Sequence, residues 1–304
     1  MDEFAVIERF FRGRGAPRTD VRLGVGDDAA VVEPAPGTVL VLTTDTLVAG
    51  RHFPPAEFPP DALGRRALAV NLSDIAAMGA EPAWALLSLT LPEADETWLG
   101  AFADGFASLA ETMGVALVGG NLSAGPLTIC VTVAGQVEPG LVLTRSGARE
   151  GDALYVTGRL GGGAAGLRAL RAGQPVESPQ VRGYAFPQPR LKAGRRLAQH
   201  AHAAIDVSDG LLGDLSKLLA ASGGLGADLS AAVIPLAPGA GPEDALGPSD
   251  DYELLVSLPQ GAAEEVAGTL GCEWHRIGNV SAVPGIRLDG EAVAAEPLGY
   301  RHFQ

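Results

Sequence analysis

Lysine is almost absent from this 304-residue sequence, which contains only Lys192 and Lys217. Neither lysine follows a glycine, so the sequence has no phosphate-binding loop of the Walker A type. The two cysteines, Cys130 and Cys272, lie far apart and outside any Cys-x-x-Cys spacing, which argues against a disulfide framework and a zinc site. No apolar run approaches the roughly 18 residues of a membrane span. We therefore expect no membrane partner.

Positive charge is also scarce, with 22 basic residues against 36 acidic ones and a net charge of −14. Such a field repels a phosphate backbone, so we expect no nucleic-acid partner. The N-terminal residues are acidic where a signal peptide requires basic ones. These features predict a protein of the cytoplasm.

Aromatic residues make up only 5% of the chain, whereas hydrophobic residues of all kinds make up 47%. The core must therefore consist mainly of alanine, valine, leucine and isoleucine. Helical and strand-like periodicities alternate along both halves, which predicts a mixed α/β (α+β) fold. The chain length suggests two domains. Apolar periodicity lapses between residues 139 and 152, so we place the domains at residues 1–140 and 149–304.

The N-terminal half contains clear element signals. Asp95 and Gly114 are placed to cap the two ends of one helix, and a second helix is predicted from Pro60 to Met78. A short buried strand is predicted over residues 39–42, with the polar residues 43–46 following at its end. Residues 127–133 alternate between apolar and small or polar side chains, as a strand does.

Aspartates collect at predicted strand ends and beside glycines. If these strands are neighbours, their oxygen ligands would suit Mg²⁺ and, through it, a bound phosphate. The alternative is that they are turn residues, a helix N-cap and solvated loop charges. The residues concerned are Asp27, Asp28, Asp45, Asp74, Asp206, Asp209, Asp250 and Asp251.

Two glycine-rich segments require separate interpretations. Gly24–Ala29 is similar to a dinucleotide-binding fingerprint, but the residues after it are extended rather than helical, so we reject that reading. Gly158–Gly163 lies between a predicted strand and a predicted helix. It could cradle a phosphate, or it could simply allow tight packing.

Several motifs together carry a family resemblance. They are GVGDDAAVV from Gly24, VLTTDTLVAGRHF from Val41, ALAVNLSDIAAMGAEPAWALLSLTLP from Ala67, LTRSGAREGD from Leu143, AIDVSDGL from Ala204, DDYELL from Asp250 and the ending GYRHF. The chain resembles the thiamine-monophosphate kinases, within the superfamily of aminoimidazole ribonucleotide synthetase and selenophosphate synthetase. The resemblance extends over nearly the whole length, with the motifs in the expected order.

The resemblance implies transfer of the γ-phosphoryl group of ATP to thiamine monophosphate, giving thiamine diphosphate, with several Mg²⁺ ions. It also implies a homodimer in which the N-terminal sheets pair. No residue is expected to act as a nucleophile or strong general base, because positioning and metal ions suffice. By motif, the metal ligands are Asp28, Thr43, Thr44, Asp45, Asp74, Asn121, Asp206 and Asp209. The ATP-binding residues are Gly120, Asn121, Arg145 and Ser208, and the substrate-binding residues are His52, Asp250 and Tyr300.

Two positions depart from the family pattern. Asn121 replaces the aspartate of the usual Gly-Gly-Asp, which substitutes a neutral amide for an anionic metal ligand. Asp250 follows Pro248-Ser249 where the family has Gly-Gly-Glu, so the carboxylate there is one methylene shorter. The alternatives are another ATP-dependent synthetase or kinase of the same superfamily, and a nucleotide-binding homologue without catalysis.

Overall fold

The structure is a computed structural model that describes residues 2–294 and 298–300. The chain divides into two compact units. The N-terminal unit comprises the described residues up to Ile75 together with Glu81–Pro139, and the C-terminal unit comprises Ala76–Ala80 and the described residues from Gly140 onward. Across the described residues, we find no helix with the length and apolar character needed to cross a membrane.

The N-terminal unit begins with a short helix that continues into a π-helical turn, Ile7–Phe11. Asp2 caps this helix by accepting a hydrogen bond from the backbone of Ala5, at 2.8 Å. The helices are α1 (Glu3–Val6), α2 (Pro60–Ala77) and α3 (Glu96–Met113). The strands are β1 (Val21–Leu23), β2 (Val31–Val32), β3 (Val39–Val48), β4 (Glu81–Leu91), β5 (Ala116–Ala124) and β6 (Thr128–Val137).

A sheet of four strands, in the order β3-β6-β4-β5, forms the centre of this unit. Strand β6 is antiparallel to both of its neighbours, whereas β4 and β5 are parallel. Along β6 the residues alternate between buried and half-buried. The predicted alternation is therefore confirmed, and its apolar members, Ile129, Val131 and Val133, face the core.

Helices α2 and α3 cross at very short distance. A Cβ atom at Gly64 would lie 2.1 Å from the carbonyl oxygen of Phe102, and one at Gly105 would lie 1.9 Å from that of Asp61. Only glycine permits this approach. The predicted caps of α3 are confirmed, since Asp95 accepts hydrogen bonds from the first turn and Gly114 ends the helix with φ of 73°.

The predicted end of β3 at Leu42 is wrong. The strand runs to Val48, and each of its residues pairs with β6. Threonine is β-branched and suits a pleated strand, so pairing with β6 carries the strand through the polar residues. Strand β5 likewise runs through the polar residues of its motif, to Ala124, because it pairs with β4.

The C-terminal unit is also mixed. Its helices are α4 (Gly162–Arg171), α5 (Pro179–Ala185), α6 (Leu191–Leu197), α7 (Leu211–Ala221), α8 (Pro242–Leu246) and α9 (Ala262–Val266). Its strands are β7 (Ala153–Thr157), β8 (Ala203–Asp206), β9 (Gly226–Leu229), β10 (Leu254–Leu258), β11 (Trp274–Ser281), β12 (Gly285–Leu288) and β13 (Glu291–Ala292).

Within the described residues these strands form one sheet in the order β13-β12-β9-β11-β7-β10-β8. The pairs are antiparallel except β9 with β12. The leucines of α7 and the inward residues of the sheet, such as Leu154, Val156 and Leu255, form the core of this unit. This aliphatic core agrees with the low aromatic content. Ala203 and Ile205 of β8 belong to this core, and β8 ends at Asp206, where a turn begins.

Candidate active site

The hydroxyl of Thr43 on β3 donates a hydrogen bond to Asp74 on α2, with Oγ1 and Oδ2 2.5 Å apart. Asp45 lies two residues further along the strand, so its side chain leaves the sheet on the same side as that of Thr43. All three side chains are half-buried. The strand and the helix thus place the oxygen atoms of three predicted metal ligands on one side of the sheet.

Thr44 leaves the sheet on the opposite side. Its hydroxyl lies 3.0 Å from that of Thr132 and 3.5 Å from the sulfur of Cys130. Asn121 on β5 is in register with Ser88, which is in turn in register with Cys130. The strand alternation therefore separates Thr44 and Asn121 from Thr43 and Asp74.

A depression of about 1470 Å³ covers this second side of the sheet within the N-terminal unit. Asp28, Gly120 and Asn121 line it, together with Arg12 and several apolar side chains. Asp28 is exposed and lies in a turn. Its backbone amide donates a hydrogen bond to the side chain of Asp27, at 2.8 Å. The depression thus brings together two predicted metal ligands, Asp28 and Asn121, and the two predicted ATP-contacting residues of this unit, Gly120 and Asn121.

Gly120 occupies a position that only glycine can fill. Its φ is 152°, and a Cβ atom there would lie 1.8 Å from the carbonyl oxygen of Leu87. This close approach holds β5 against β4 beside Asn121. The glycine of the Gly-Gly-Asn motif therefore has a packing role in addition to its predicted contact with nucleotide.

His52 lies in the turn after β3 and is half-buried. Its Nδ1 accepts a hydrogen bond from the backbone of Val48, at 2.9 Å. An imidazole that accepts at Nδ1 carries its proton at Nε2 in the neutral form. The turn therefore fixes both the ring orientation and the tautomer of this predicted substrate-binding residue.

In the C-terminal unit, the turn that follows β8 is organised by Asp214 of α7. One oxygen of this buried carboxylate accepts hydrogen bonds from the backbones of Ser208, Asp209 and Gly210, at 3.0, 2.9 and 3.1 Å. Burial raises the pKa of Asp214 despite these bonds and a contact with Lys217. Two of the predicted site residues, Ser208 and Asp209, thus belong to one constrained turn, and a third, Asp206, is the last residue of the strand before it.

Lys217, one turn further along α7, contacts two of these carboxylates. Its ammonium nitrogen lies 2.5 Å from Asp209 Oδ2 and 2.7 Å from Asp214 Oδ1. Burial opposes the charged form of the lysine, but the two carboxylates outweigh that effect and raise its pKa. Lys217 is therefore charged at neutral pH.

The glycine-rich turn before α4 serves packing. The amides of Gly161 and Gly163 donate to the two oxygens of Asp251, at 2.8 and 2.9 Å. Because these amides are already bonded to a carboxylate, the tight-packing interpretation is the one that the structure favours. Burial raises the pKa of Asp251 to about 6, although its hydrogen bonds act in the opposite direction.

Asp250 lies beside this turn and is half-buried. A Cβ atom at Gly163 would be 2.5 Å from Asp250 Oδ1, so the glycine makes room for the carboxylate. Tyr252 adopts a left-handed backbone, with φ of 55°, which is uncommon for a bulky residue. The segment that carries this predicted substrate contact is thus held in an unusual conformation by its neighbours.

Glu253 anchors the other end of that segment. It accepts hydrogen bonds from Arg190, with Nε 2.6 Å from Oε2, and from the hydroxyl of Thr157, also at 2.6 Å. Burial works against the charged Arg190, but the charge and hydrogen bonds of Glu253 outweigh it and raise the pKa of the guanidinium. The Thr157 hydrogen bond joins the Asp250 segment to β7, and the Arg190 ion pair joins it to the start of α6.

The two remaining predicted residues lie at the surface. Arg145 is exposed, and its carbonyl oxygen accepts a hydrogen bond from the hydroxyl of Ser222, at 3.4 Å. Tyr300 is 38% exposed, and its amide donates to the carbonyl oxygen of Asp209, at 3.1 Å. The remainder of the GYRHF ending, residues 301–303, lies outside the described residues.

Sequence reasoning missed two residues that hold the C-terminal site in place, Asp214 and Lys217, and it took Asp251 for a candidate oxygen ligand rather than an anchor of the glycine-rich turn. The spacing of Asp214 and Lys217 was available, because residues three apart lie on one face of a helix. The structural role of Asp251 had no local signal in the sequence. Its partners at Gly161 and Gly163 are about 90 residues away.

Both units match models of one protein class. Residues 26–137 match the N-terminal domain of AIR synthase-related proteins, and residues 149–291 match the C-terminal domain. The chain is thus a two-domain AIR synthase-related protein of mixed α/β architecture.

Full-length relatives narrow this class. The chain is 41% identical to the thiamine-monophosphate kinase of Escherichia coli K12 over an aligned length of 320 residues, which covers 99% of this chain and 98% of the relative. The crystal structure of thiamine-monophosphate kinase from Stenotrophomonas maltophilia K279a is 41% identical, with a TM-score of 0.87 and coverage of 96% and 98%. A structure of AaThiL complexed with AMPPCP and TMP is 34% identical, with a TM-score of 0.80 and 92% of each chain covered. The chain belongs to the thiamine-monophosphate kinase family.

Proposed function

We propose that this chain transfers the γ-phosphoryl group of ATP to the phosphate of thiamine monophosphate, releasing thiamine diphosphate and ADP. The observation that carries the proposal is the similarity to thiamine-monophosphate kinases over nearly the whole chain. A solved relative binds AMPPCP and TMP, which supports an ATP site and a thiamine monophosphate site here. By motif, the ATP site includes Gly120, Asn121, Arg145 and Ser208.

The donor atoms of the candidate ligands fit Mg²⁺. Thr43, Asp45 and Asp74 in one unit, and Asp206 and Asp209 in the other, offer hydroxyl and carboxylate oxygens, which this hard cation prefers. Within residues 2–294 and 298–300, no three histidine, cysteine or acidic side chains are grouped closely enough to hold a metal ion. In kinase sites, Mg²⁺ typically uses one or two carboxylates and takes its other ligands from phosphates and water. The residues named would hold the ion on that basis.

Phosphoryl transfer of this kind requires positioning and charge neutralisation more than acid–base chemistry. The acceptor phosphate has a second pKa near 6, so its attacking oxygen is ionised at neutral pH and needs no strong base. Bound Mg²⁺ supplies neutralisation of the phosphate charge. Arg145 adds a charge-assisted hydrogen-bond donor to the phosphates.

The substrate is oriented by three residues in this proposal. His52, whose tautomer the Val48 amide fixes, offers an N–H at Nε2. Asp250 supplies a negative charge that suits the cationic thiazolium ring, and Tyr300 supplies a flat face against which the ring can pack. Asp250 is next to Asp251, whose carboxylate accepts hydrogen bonds from the glycine-rich turn. The amide of Tyr300 donates to the carbonyl oxygen of Asp209.

We propose further that the protein is a homodimer in which two N-terminal sheets pack together. Each sheet would use the side that carries Thr44, here called its open side. Leu40, Leu42 and Leu86 are 46%, 67% and 43% exposed on a single copy of the chain. Apolar exposure of this extent on one sheet is typical of an interaction surface. In this proposal residues 1–140 form the ATP- and Mg²⁺-binding and dimerisation domain, and residues 149–304 the second domain.

The test of the activity is formation of thiamine diphosphate from ATP and thiamine monophosphate over a range of Mg²⁺ concentrations. Unphosphorylated thiamine serves as the control acceptor. We expect product from the monophosphate alone. ATP binding without product at any Mg²⁺ concentration would instead indicate a binding protein or a synthetase with another substrate.

A further inference from the structure

Lys217 stands out in a chain that has only two lysines. It is on α7, in the C-terminal unit, and its ammonium nitrogen lies 2.5 Å from Oδ2 of Asp209 and 2.7 Å from Oδ1 of Asp214. Asp209 is a proposed Mg²⁺ ligand, whereas Asp214 is committed to the backbone of the preceding turn. The lysine therefore bridges a carboxylate that is proposed to bind Mg²⁺ and a carboxylate that holds the preceding turn.

The two carboxylates differ in their freedom to move. The Asp214 side chain is 1% exposed and is fixed by three backbone amides, whereas the Asp209 side chain is 32% exposed. The lysine side chain is itself 39% exposed and has a flexible stem. Lys217 can therefore leave Asp209 without losing its contact with Asp214.

We propose that Lys217 competes with divalent cations for the carboxylate of Asp209 and thereby sets the Mg²⁺ affinity of the C-terminal acidic pair, Asp206 and Asp209. This inference rests on the proposed function, in which that pair holds Mg²⁺. An ammonium on Oδ2 blocks one of the two ligand oxygens and adds a like charge beside the incoming cation. Both effects oppose metal binding.

The reaction benefits from such a competitor. Without metal, the lysine neutralises the carboxylates of Asp209 and Asp214 at the start of α7 and so limits the repulsion between them. With metal and nucleotide present, the ammonium remains anchored on Asp214, close to the site. Lys217 is therefore a positioning residue, which acts through Asp209 and is not itself a metal ligand.

The experiment titrates the full-length protein with Mn²⁺, in the absence of nucleotide, and measures bound metal by electron paramagnetic resonance. In Lys217→Met, which keeps the length of the side chain and removes its charge, we expect Mn²⁺ to bind about three- to tenfold more tightly at one class of site. Lys217→Gln should act in the same direction. Lys192→Met, which removes the other lysine of the same unit, is the matched control and should leave the affinity unchanged.

A double-mutant cycle with Asp209→Asn tests the route of the effect. We expect the gain in affinity from Lys217→Met to disappear when Asp209 is already replaced. Unchanged or weaker Mn²⁺ binding in both Lys217 variants would overturn the inference and leave the metal role of Asp209 intact. If Asp209→Asn alone leaves Mn²⁺ binding unchanged, the proposed metal role of Asp209 fails, and the inference fails with it.

Discussion

The hydroxyl of Thr43 donates a 2.5 Å hydrogen bond to the carboxylate of Asp74, and this contact joins the edge strand β3 to helix α2. The two residues are 31 positions apart in the sequence. The bond occupies one oxygen of the carboxylate and so fixes its rotamer, while Asp45 leaves the strand on the same side. Ligands that are oriented in this way need less rearrangement when a cation binds.

Replacing Thr43 with valine, which has the same shape without the hydroxyl, tests this contact. We expect the half-saturating Mg²⁺ concentration to rise by about 10- to 100-fold, because Asp74 loses its orienting partner. The measurement is kinase activity at saturating ATP and thiamine monophosphate over a Mg²⁺ series. Thr43→Ser should restore most of the affinity.

The matched control is Thr46→Val, on the same strand but on the opposite side of the sheet, which should behave like the wild type. Equal Mg²⁺ requirements for wild type and Thr43→Val would show that the Thr43 hydroxyl has no part in metal binding.

Asn121 offers a prediction of the opposite sign. It lines the depression of the N-terminal unit together with Asp28. In Asn121→Asp, a carboxylate replaces a neutral amide of the same size, and we expect the half-saturating Mg²⁺ concentration to fall by about 3- to 10-fold. The same Mg²⁺ series measures it. A requirement that does not change, or that rises, would place residue 121 away from the metal.

The sequence was a reliable guide where structure depends on local chemistry. The caps of α3, Asp95 and Gly114, were predictable because each acts within one helical turn. Strand β3 was harder, because the polar run after Leu42 resembles a strand end, and only pairing with β6 along its full length shows that it continues. Strand β4 was missed altogether.

The candidate site was predictable in composition but not in arrangement. The motifs pointed to oxygen ligands, yet the strand alternation sends Thr43 and Thr44 to opposite sides of one sheet. That consequence follows only once the extent of β3 is known. The role of Asp251 depends on Gly161 and Gly163, which no local pattern connects to it.

The buried carboxyl of Asp251 should make stability depend on pH. Burial raises its pKa in the folded protein from 3.8 to about 6. Between these values the folded state binds more protons than the unfolded state, so the free energy of unfolding falls as the pH rises. The contribution is fully present below about pH 4 and is lost above about pH 6, with a magnitude of about 3 kcal/mol.

Asp251→Asn removes this ionisation, since an amide is neutral at every pH. Urea unfolding between pH 4 and pH 7 should therefore show a shallower loss of stability in the variant than in the wild type. The Gly161 or Gly163 amide will lose an acceptor in the variant, which lowers stability at all pH values by about 1–3 kcal/mol without changing the slope. Parallel curves for the two proteins would refute the assignment.

Leu42 is the most direct test of the proposed dimer. It is 67% exposed on the open side of the N-terminal sheet, in register with Ala134 of β6. Burying an aspartate in an apolar interface leaves an unpaired charge, which costs several kcal/mol. We therefore expect Leu42→Asp to sediment as a monomer at concentrations at which the wild type is a dimer.

Val283→Asp, at a position 62% exposed in the C-terminal unit, is the matched control and should remain dimeric. Circular dichroism should show the fold unchanged in both variants, since Leu42 contributes little to the core of a single chain. If Leu42→Asp sediments as a dimer, as the wild type does, the copies associate through another surface.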